Sequence, residues 1–341
     1  MKKCFSTILG PGIILLAALV ALAGCPTSTS SSSGVYTAGF YTSGTASVAC
    51  YWTNNVRTDL PGDGNTSHSA VANSVFVSGS TVYAAGYYFN GATAVACYWT
   101  NGVKTDLPVP GGATQAQALS IFVSGGTVYT AGFYSVAGTS TACYWTDTTR
   151  QDLLGLGGAN ANSIFVSGGT IYTAGVYDAS TLPSVACYWT GISPAQNLPG
   201  ANNANANSLF VSGGTIYTAG QYDVAPGPSV ACFWTGTTKQ DLATGTNGAN
   251  ASSLFVSGGT IYTAGQYNAA TASIACYWTD TTKQDLPGAG ANASSIYVSG
   301  GTVYTAGYYT SSGTTVACYW TGTTKTDLPG AGAQANSIFV Q

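Results

Sequence analysis

The sequence predicts an all-β fold: a seven-bladed β-propeller of four-stranded antiparallel blades, closed by pairing of the C-terminal strand with the N-terminal blade. Three observations lead there. Four strand-like runs recur together, they recur seven times, and the two ends of the chain are complementary halves of one repeat.

The runs keep a fixed order. "CYWT" or a close variant begins at Cys50, Cys97, Cys143, Cys187, Cys232, Cys276 and Cys318, with gaps of 47, 46, 44, 45, 44 and 42 residues. "VYTAGFY" or a variant begins at Val35, Val82, Val128, Ile171, Ile216, Ile261 and Val303. "SIFVSGG" or a variant begins at Ser74, Ser120, Ser163, Ser208, Ser253, Ser295 and Ser337, and a "KTDLPG"-like run follows every tryptophan. All four are rich in Val, Ile, Tyr, Phe and Thr, are bounded by Gly, Asn and Ser, and lack helical periodicity. "SGG" joins the first two as a tight hairpin that needs positive φ. Four strands in every 42–47 residues match one propeller blade.

The ends support closure. "GVYTAGFY" opens the repeats with no "SIFVSGG" before it, and "NSIFVQ" ends the chain with no "VYTAG" after it. Ser337–Val340 beside Val35–Tyr41 completes one blade and removes two open edges. An open solenoid would instead need polar capping units.

The unit resembles kelch-type propeller repeats. "AVANSVFVSGSTVYAAGYY" is similar to the kelch inner strand, turn and second strand, and "DLPG" stands where the kelch outer strand ends. Two departures are plain: Ala38-Gly39 and its copies replace the kelch Gly-Gly pair, and Trp52 and its copies sit on the third strand rather than the outer one. The resemblance therefore implies architecture and no functional residue. The unit is also similar to the "YW-T/K-NG" repeats of bacterial secreted proteins, which imply no activity.

Within a blade the expected order outward from the axis is "SIFV", "VYTAGxY", "VACYWT", "KTDL". In "VACYWT" the valine, cysteine and tryptophan share one face and the alanine, tyrosine and threonine the other. Blades face blades, so both sides are apolar, and cysteine acts as a small hydrophobe. A third strand roughly 16 Å from the axis, at ~4.8 Å per strand, sets equivalent cysteines ~14 Å apart. A disulfide needs Cα atoms within about 7 Å, so the seven repeat cysteines are expected to be free, buried thiols. The tryptophans are expected to seal gaps between blades, the alternative being a sugar-stacking ring. On the outer strand Arg57/Asp59, Lys104/Asp106, Arg150/Asp152, Lys239/Asp241, Lys283/Asp285 and Lys325/Asp327 share one face and guard an exposed edge. Blade four departs from this, with Ala195 and Asn197.

The N-terminus carries an address. Lys2 and Lys3 precede an apolar run, Ile13 to Ala23, too short to span a bilayer comfortably. "LAGC" at 22–25 resembles the lipobox of bacterial lipoproteins, which implies cleavage before Cys25 and its lipidation. The expected division is 1–24 signal peptide, 25–34 lipidated cysteine and Ser/Thr tether, and 35–341 propeller. Acyl chains, palmitate among them, would hold the protein on a membrane without a spanning helix. Pro26 follows the cysteine where an aspartate would mark inner-membrane retention, so the outer membrane of the cell envelope is the expected location. Only 6% of the chain is charged, and the part from Cys25 has six basic and eleven acidic residues, with no basic cluster. That excludes a nucleic-acid partner, and the chain is expected to be a monomer.

Function is less legible. The "SGG" and "TGTTK"-like turns scarcely vary, whereas "TSGTAS", "DASTLPS", "DVAPGPS" and "PGDGNTSHSAVAN" do, and these variable loops should share one face. There Gln117, Asn160, Asn205, Asn250, Asn292 and Gln334 occupy equivalent places and form a candidate polar ring for sugar hydroxyls or carbonyls; asparagine capping a turn is the plainer alternative. Asp178 and Asp223 begin corresponding loops and are candidates for a calcium ion shared with backbone oxygens, the one cofactor considered. His68 is the sole histidine, and there is no glutamate, so neither a triad nor a carboxylate pair for glycoside hydrolysis is evident. A binding scaffold for glycan or envelope-protein ligands leads. A hydrolase or lyase with a site at the propeller mouth and a purely structural envelope protein remain open.

Overall fold

The computed structural model describes residues 34–154, 157–178, 183–242, 247–270 and 272–341. The signal segment 1–24, Cys25 and the Thr27–Ser33 tether lie outside the described residues.

Every blade is an antiparallel meander. The inner strands are Gln334–Val340, Ala70–Ser78, Ala113–Ser124, Asn160–Ser167, Asn202–Ser212, Ala249–Ser257 and Asn292–Ser299, for blades 1 to 7 in order. Blade 1 runs Gln334–Val340, Val35–Ser43, Ala46–Thr53, Val56–Asp59, with Val35 opposite Val340 and Thr37 opposite Ile338. The expected closure is therefore present. Blades 2 and 3 share one further bridge, Ala94 to Gln115.

The ring is fastened by polar atoms as well as apolar ones. On each inner strand a serine hydroxyl accepts the backbone N–H of the neighbouring inner strand. Ser74 serves Ile121, Ser120 Ile164, Ser163 Leu209, Ser208 Leu254, Ser253 Ile296, Ser295 Ile338 and Ser337 Val75, at 3.0–3.2 Å. The last bond returns to blade 2, so the cycle has seven members.

Two residues beyond each serine an aromatic ring closes a second cycle: Phe76, Phe122, Phe165, Phe210, Phe255, Tyr297 and Phe339, with neighbouring centroids 4.7–5.0 Å apart. Their interplanar angles of 48–54° match one-seventh of a turn, about 51°, so the rings stand parallel to the axis. A heptagon of that edge has a radius of about 5.6 Å. Rings lying flat on such a wall would bring carbons well inside the ~3.5 Å contact distance, so their edges face the axis. The channel is thereby narrowed to an opening of about 4–5 Å.

Between blades the core is made by the third strands. Trp52, Trp99, Trp145, Trp189, Trp234, Trp278 and Trp320 have no exposed surface. The indole N–H of Trp99 donates to Pro61 O, Trp145 to Pro108 O, Trp189 to Leu154 O, Trp234 to Pro199 O and Trp320 to Pro287 O, each in the preceding blade. Trp52 donates to Pro329 O and so staples the first blade to the last. These tryptophans are core, and a sugar-stacking ring is excluded. The seven repeat cysteines are free and buried, and burial pushes their thiols up from the ordinary range.

The Ala-Gly pair of the second strand has a steric cause. The inner strand bulges where the second strand passes, for example between Ala161 and Ser163. A Cβ on Gly175 would lie 1.9 Å from the Asn160 carbonyl oxygen, and Gly39, Gly86, Gly132, Gly220, Gly265 and Gly307 are in the same position. The alanine beside each glycine is buried against the next blade. Turn chemistry fixes the outer hairpin: Asn54, Asn101, Asp147 and Asp280 take positive φ of 47–57°, and Gly191, Gly236 and Gly322 fill the same turn, as residues tolerant of the left-handed region should.

The outer edge is more elaborate than a row of ion pairs. The Asp59, Asp106, Asp152, Asp241, Asp285 and Asp327 carboxylates each accept a tyrosine hydroxyl from the second strand at 3.0–3.1 Å, while the cation two residues earlier lies over that tyrosine ring. In blade 4, Tyr177 donates instead to the Asn197 amide oxygen, and no cation is present.

Candidate functional site

The variable connections do share a face. Backbone bonds tie the end of a second strand to the loop entering an inner strand: Thr42 N to Ala331 O, Phe89 N to Ser69 O, Asn268 N to Gly248 O and Thr310 N to Ala289 O. Three cavities open among these loops, of about 300, 390 and 190 Å³.

The predicted polar residues lie in the first part of the inner strands, toward this face. They lie roughly 15 Å along the strand from the aromatic collar. Each stands opposite a second-strand residue that the repeat leaves free to vary: Gln334 opposite Phe40, Gln117 opposite Phe133, Asn160 opposite Val176, Asn205 opposite Gln221, Asn250 opposite Gln266 and Asn292 opposite Tyr308. In blade 2 the pair is Val71 and Tyr87. The rim is thus divided. Tyr308, Phe40, Tyr87 and Phe133 make an aromatic arc over blades 7, 1, 2 and 3, and Gln221 and Gln266 make an amide arc over blades 5 and 6.

The six predicted residues hold equivalent register positions around the ring but have different neighbours. Gln117 and Gln334 lie beside aromatic neighbours. Asn250 and Gln266, with Gln221, Asn247 and Asn268, line the 390 Å³ cavity between blades 5 and 6. Asn292 donates to the Gln266 side-chain oxygen and so joins that group.

A second row of amides, not anticipated from the sequence, organises the first. Asn162 Nδ2 donates to Asn205 Oδ1 and to Ala206 O, both at 2.9 Å. Asn207 Nδ2 donates likewise to Asn250 Oδ1 and Ala251 O, at 2.9 and 2.8 Å. Asn73 and Asn336 bond Ala118 O and Ala72 O alone. Blade 3 has Leu119 at this bulge, so Asn160 receives no donor, and its buried Oδ1 has no partner among the described residues.

The two aspartates are engaged locally. Asp178 accepts the Ser184 hydroxyl at 2.8 Å, and Asp223 accepts those of Ser229 at 2.7 Å and the Asn203 amide at 3.0 Å. Each carboxylate closes its own loop. Among the described residues no three His, Cys, Asp or Glu side chains converge as a metal site; part of the Asp178 loop, 179–182, lies outside them.

The 300 Å³ cavity between blades 1 and 2 holds the sole histidine. His68 Nδ1 is 2.6 Å from Asp63 Oδ2, Asn65 Nδ2 is 3.4 Å from His68 Nε2, and Tyr41 and Ser47 complete the wall. The hydrogen bond to His68 holds the Asp63 carboxyl below the usual carboxylate range.

No family model matches the chain, and no curated protein does. Solved structures share its architecture at very low identity. An acylaminoacyl peptidase complexed with Z-Gly-Gly-Phe-chloromethyl ketone is 9% identical with a TM-score of 0.50, over 83% of this chain and 48% of that one. A Trypanosoma rangeli sialidase in complex with sialic acid is 9% identical, TM-score 0.44, over 84% and 55%. YCF48 bound to D1 peptide is 13% identical, TM-score 0.43, over 88% and 87%. The chain spans about half the length of the peptidase and the sialidase. The likeness is one of fold, and the propeller is established by the chain's own closed ring.

Proposed function

We propose that the protein is a binding scaffold of the cell envelope, held to a membrane through a lipid on Cys25, that presents the variable-loop face of a kelch-like propeller to glycan or protein ligands. One observation supports this reading above the others. Sevenfold regularity holds through the serine, aromatic and tryptophan cycles and breaks at the rim, where an aromatic arc faces an amide arc. Aromatic faces and neutral amides are the surfaces sugars use. A glycan array with the protein lacking residues 1–25, paired with pull-down from envelope extract, tests the reading; silence in both would end it. Cys25→Ser should abolish acyl labelling, and a mature form of unmodified mass at Cys25 would end the anchor proposal.

A second reading, an enzyme with its site at the mouth, has the His68–Asp63 pair in its cavity on its side. A general base needs such an orienting carboxylate. Against it, the other carboxylate of that cavity, Asp59, is already held by the Tyr41 hydroxyl and Arg57. Turnover of any array ligand that is lost in His68→Ala would establish this reading in place of the first.

A further inference from the structure

We infer that the cavity between blades 5 and 6 is a saccharide subsite that recognises acceptor oxygens, the carbonyl of an acetamido group above all. This deepens the binding reading and rests on it.

The argument concerns which end of each amide faces the cavity. A backbone carbonyl can only accept. Ala251 O therefore requires that Asn207 present its NH₂ group to it. That same NH₂ lies 2.9 Å from the Asn250 side chain, so Asn250 must present its oxygen in return. Its NH₂ group is then turned away from Asn207, on a residue that lines the cavity. At Gln266 the side-chain oxygen accepts from Asn292, a side-chain bond without the backbone carbonyl that fixes Asn250, and the NH₂ is the end this bond leaves unused. The network thus consumes acceptors and leaves donors. Gln221 adds a third amide with no side-chain partner among the described residues.

Charge decides the ligand class. Among the described residues no Lys, Arg or His lines this cavity, and the protein is acidic overall. Nothing there would offset the desolvation of a carboxylate or phosphate. Neutral oxygens suit these donors, and an acetamido carbonyl has two lone pairs for two amides. The volume, about 390 Å³, is within the ordinary range for small-ligand sites. Here the bulge asparagine Asn207, the inner-strand asparagine Asn250 and the second-strand glutamine Gln266 meet at an open cavity. Asn205 has the same polarity from Asn162 but lies outside it.

The test is an exchange of one atom. Asn250→Asp keeps an oxygen for Asn207 and replaces only the cavity-facing NH₂ by an acceptor; Gln266→Glu does the same toward Asn292. Binding of N,N′-diacetylchitobiose and of cellobiose is measured by calorimetry, with melting temperature as the control for folding. The expected result is tighter binding of the acetamido sugar, at least tenfold weakening in Asn250→Asp and in Gln266→Glu, and no change in Asn205→Asp. Saccharide binding unaltered by both substitutions would overturn the subsite and leave the scaffold reading standing. No saccharide bound by the unaltered protein, here and on the array, would overturn the subsite and the glycan part of that reading together. Equal weakening in Asn205→Asp would also overturn it, since the effect would then be one of charge alone.

Discussion

The wall of the propeller and its rim follow opposite rules. In the wall, seven serines, seven aromatics and the indoles of Trp52, Trp99, Trp145, Trp189, Trp234 and Trp320 repeat one contact each with a spread of a few tenths of an ångström. At the rim, the residue before the last tyrosine of "TAGxY" is Phe, Tyr, Phe, Val, Gln, Gln and Tyr in turn. A ring must close, so each wall position is tied to both neighbours and cannot vary alone. A rim position faces solvent on one side and can.

The largest expected effect comes from opening the wall. Deleting Ser337–Gln341 removes the inner strand of blade 1, the Ser337–Val75 bond and one of the seven collar aromatics. Cooperative unfolding should be lost or the melting temperature should drop by tens of degrees, whereas removal of Thr27–Ser33 should leave it unchanged. Equal melting temperatures would mean that closure contributes nothing.

Alkaline pH should strain the same wall. Burial raises the repeat thiols. At the outer edge Tyr41, Tyr88 and Tyr134 are raised by burial and by their aspartates. Burial pulls Lys104, Lys239, Lys283 and Lys325 down, but tyrosine and aspartate outweigh it and the net shift is upward. The folded state holds all these protons more tightly than the unfolded chain. Their contribution is whole below the ordinary values, about 8.5 for Cys and about 10 for Tyr and Lys, and is lost as pH rises through the folded values. Thermal melts should be level from pH 6 to 8 and fall steeply by pH 10.5. Asp63 shifts the other way, so its contribution is whole above the ordinary carboxylate range and is lost only as pH falls below that range, through its lowered folded value.

A single staple has a smaller effect. Trp145→Phe leaves Pro108 O without its donor and a gap beside Leu107, and should cost about 2–4 kcal/mol in denaturant unfolding. Smaller still is a repair at the rim. Leu119→Asn would supply the donor that Asn160 lacks and should gain about 0.5–1.5 kcal/mol. A loss there would show that the amide row is not transferable between blades.

The same division explains what could be read from the sequence. The strand order, the closure, the buried tryptophans and the free thiols follow from repetition, because a position that recurs in every blade meets the same neighbours. The tyrosine–aspartate–cation clusters escaped notice because their members belong to two different runs, 18 or 19 residues apart. The amide row escaped because the bulge turns Asn162 and Asn207 toward the next blade, against simple alternation. The six strand-start amides were visible as equivalents, and for that reason their differences were not. The signal that separates them was the glutamine of "TAGQY", present in two copies of seven.

Stoichiometry tests this account most directly. The saccharide bound most tightly on the array is titrated by calorimetry into the protein lacking residues 1–25. A rim whose function lies where symmetry breaks predicts one site per chain. Several equal sites, one for each blade, would contradict it.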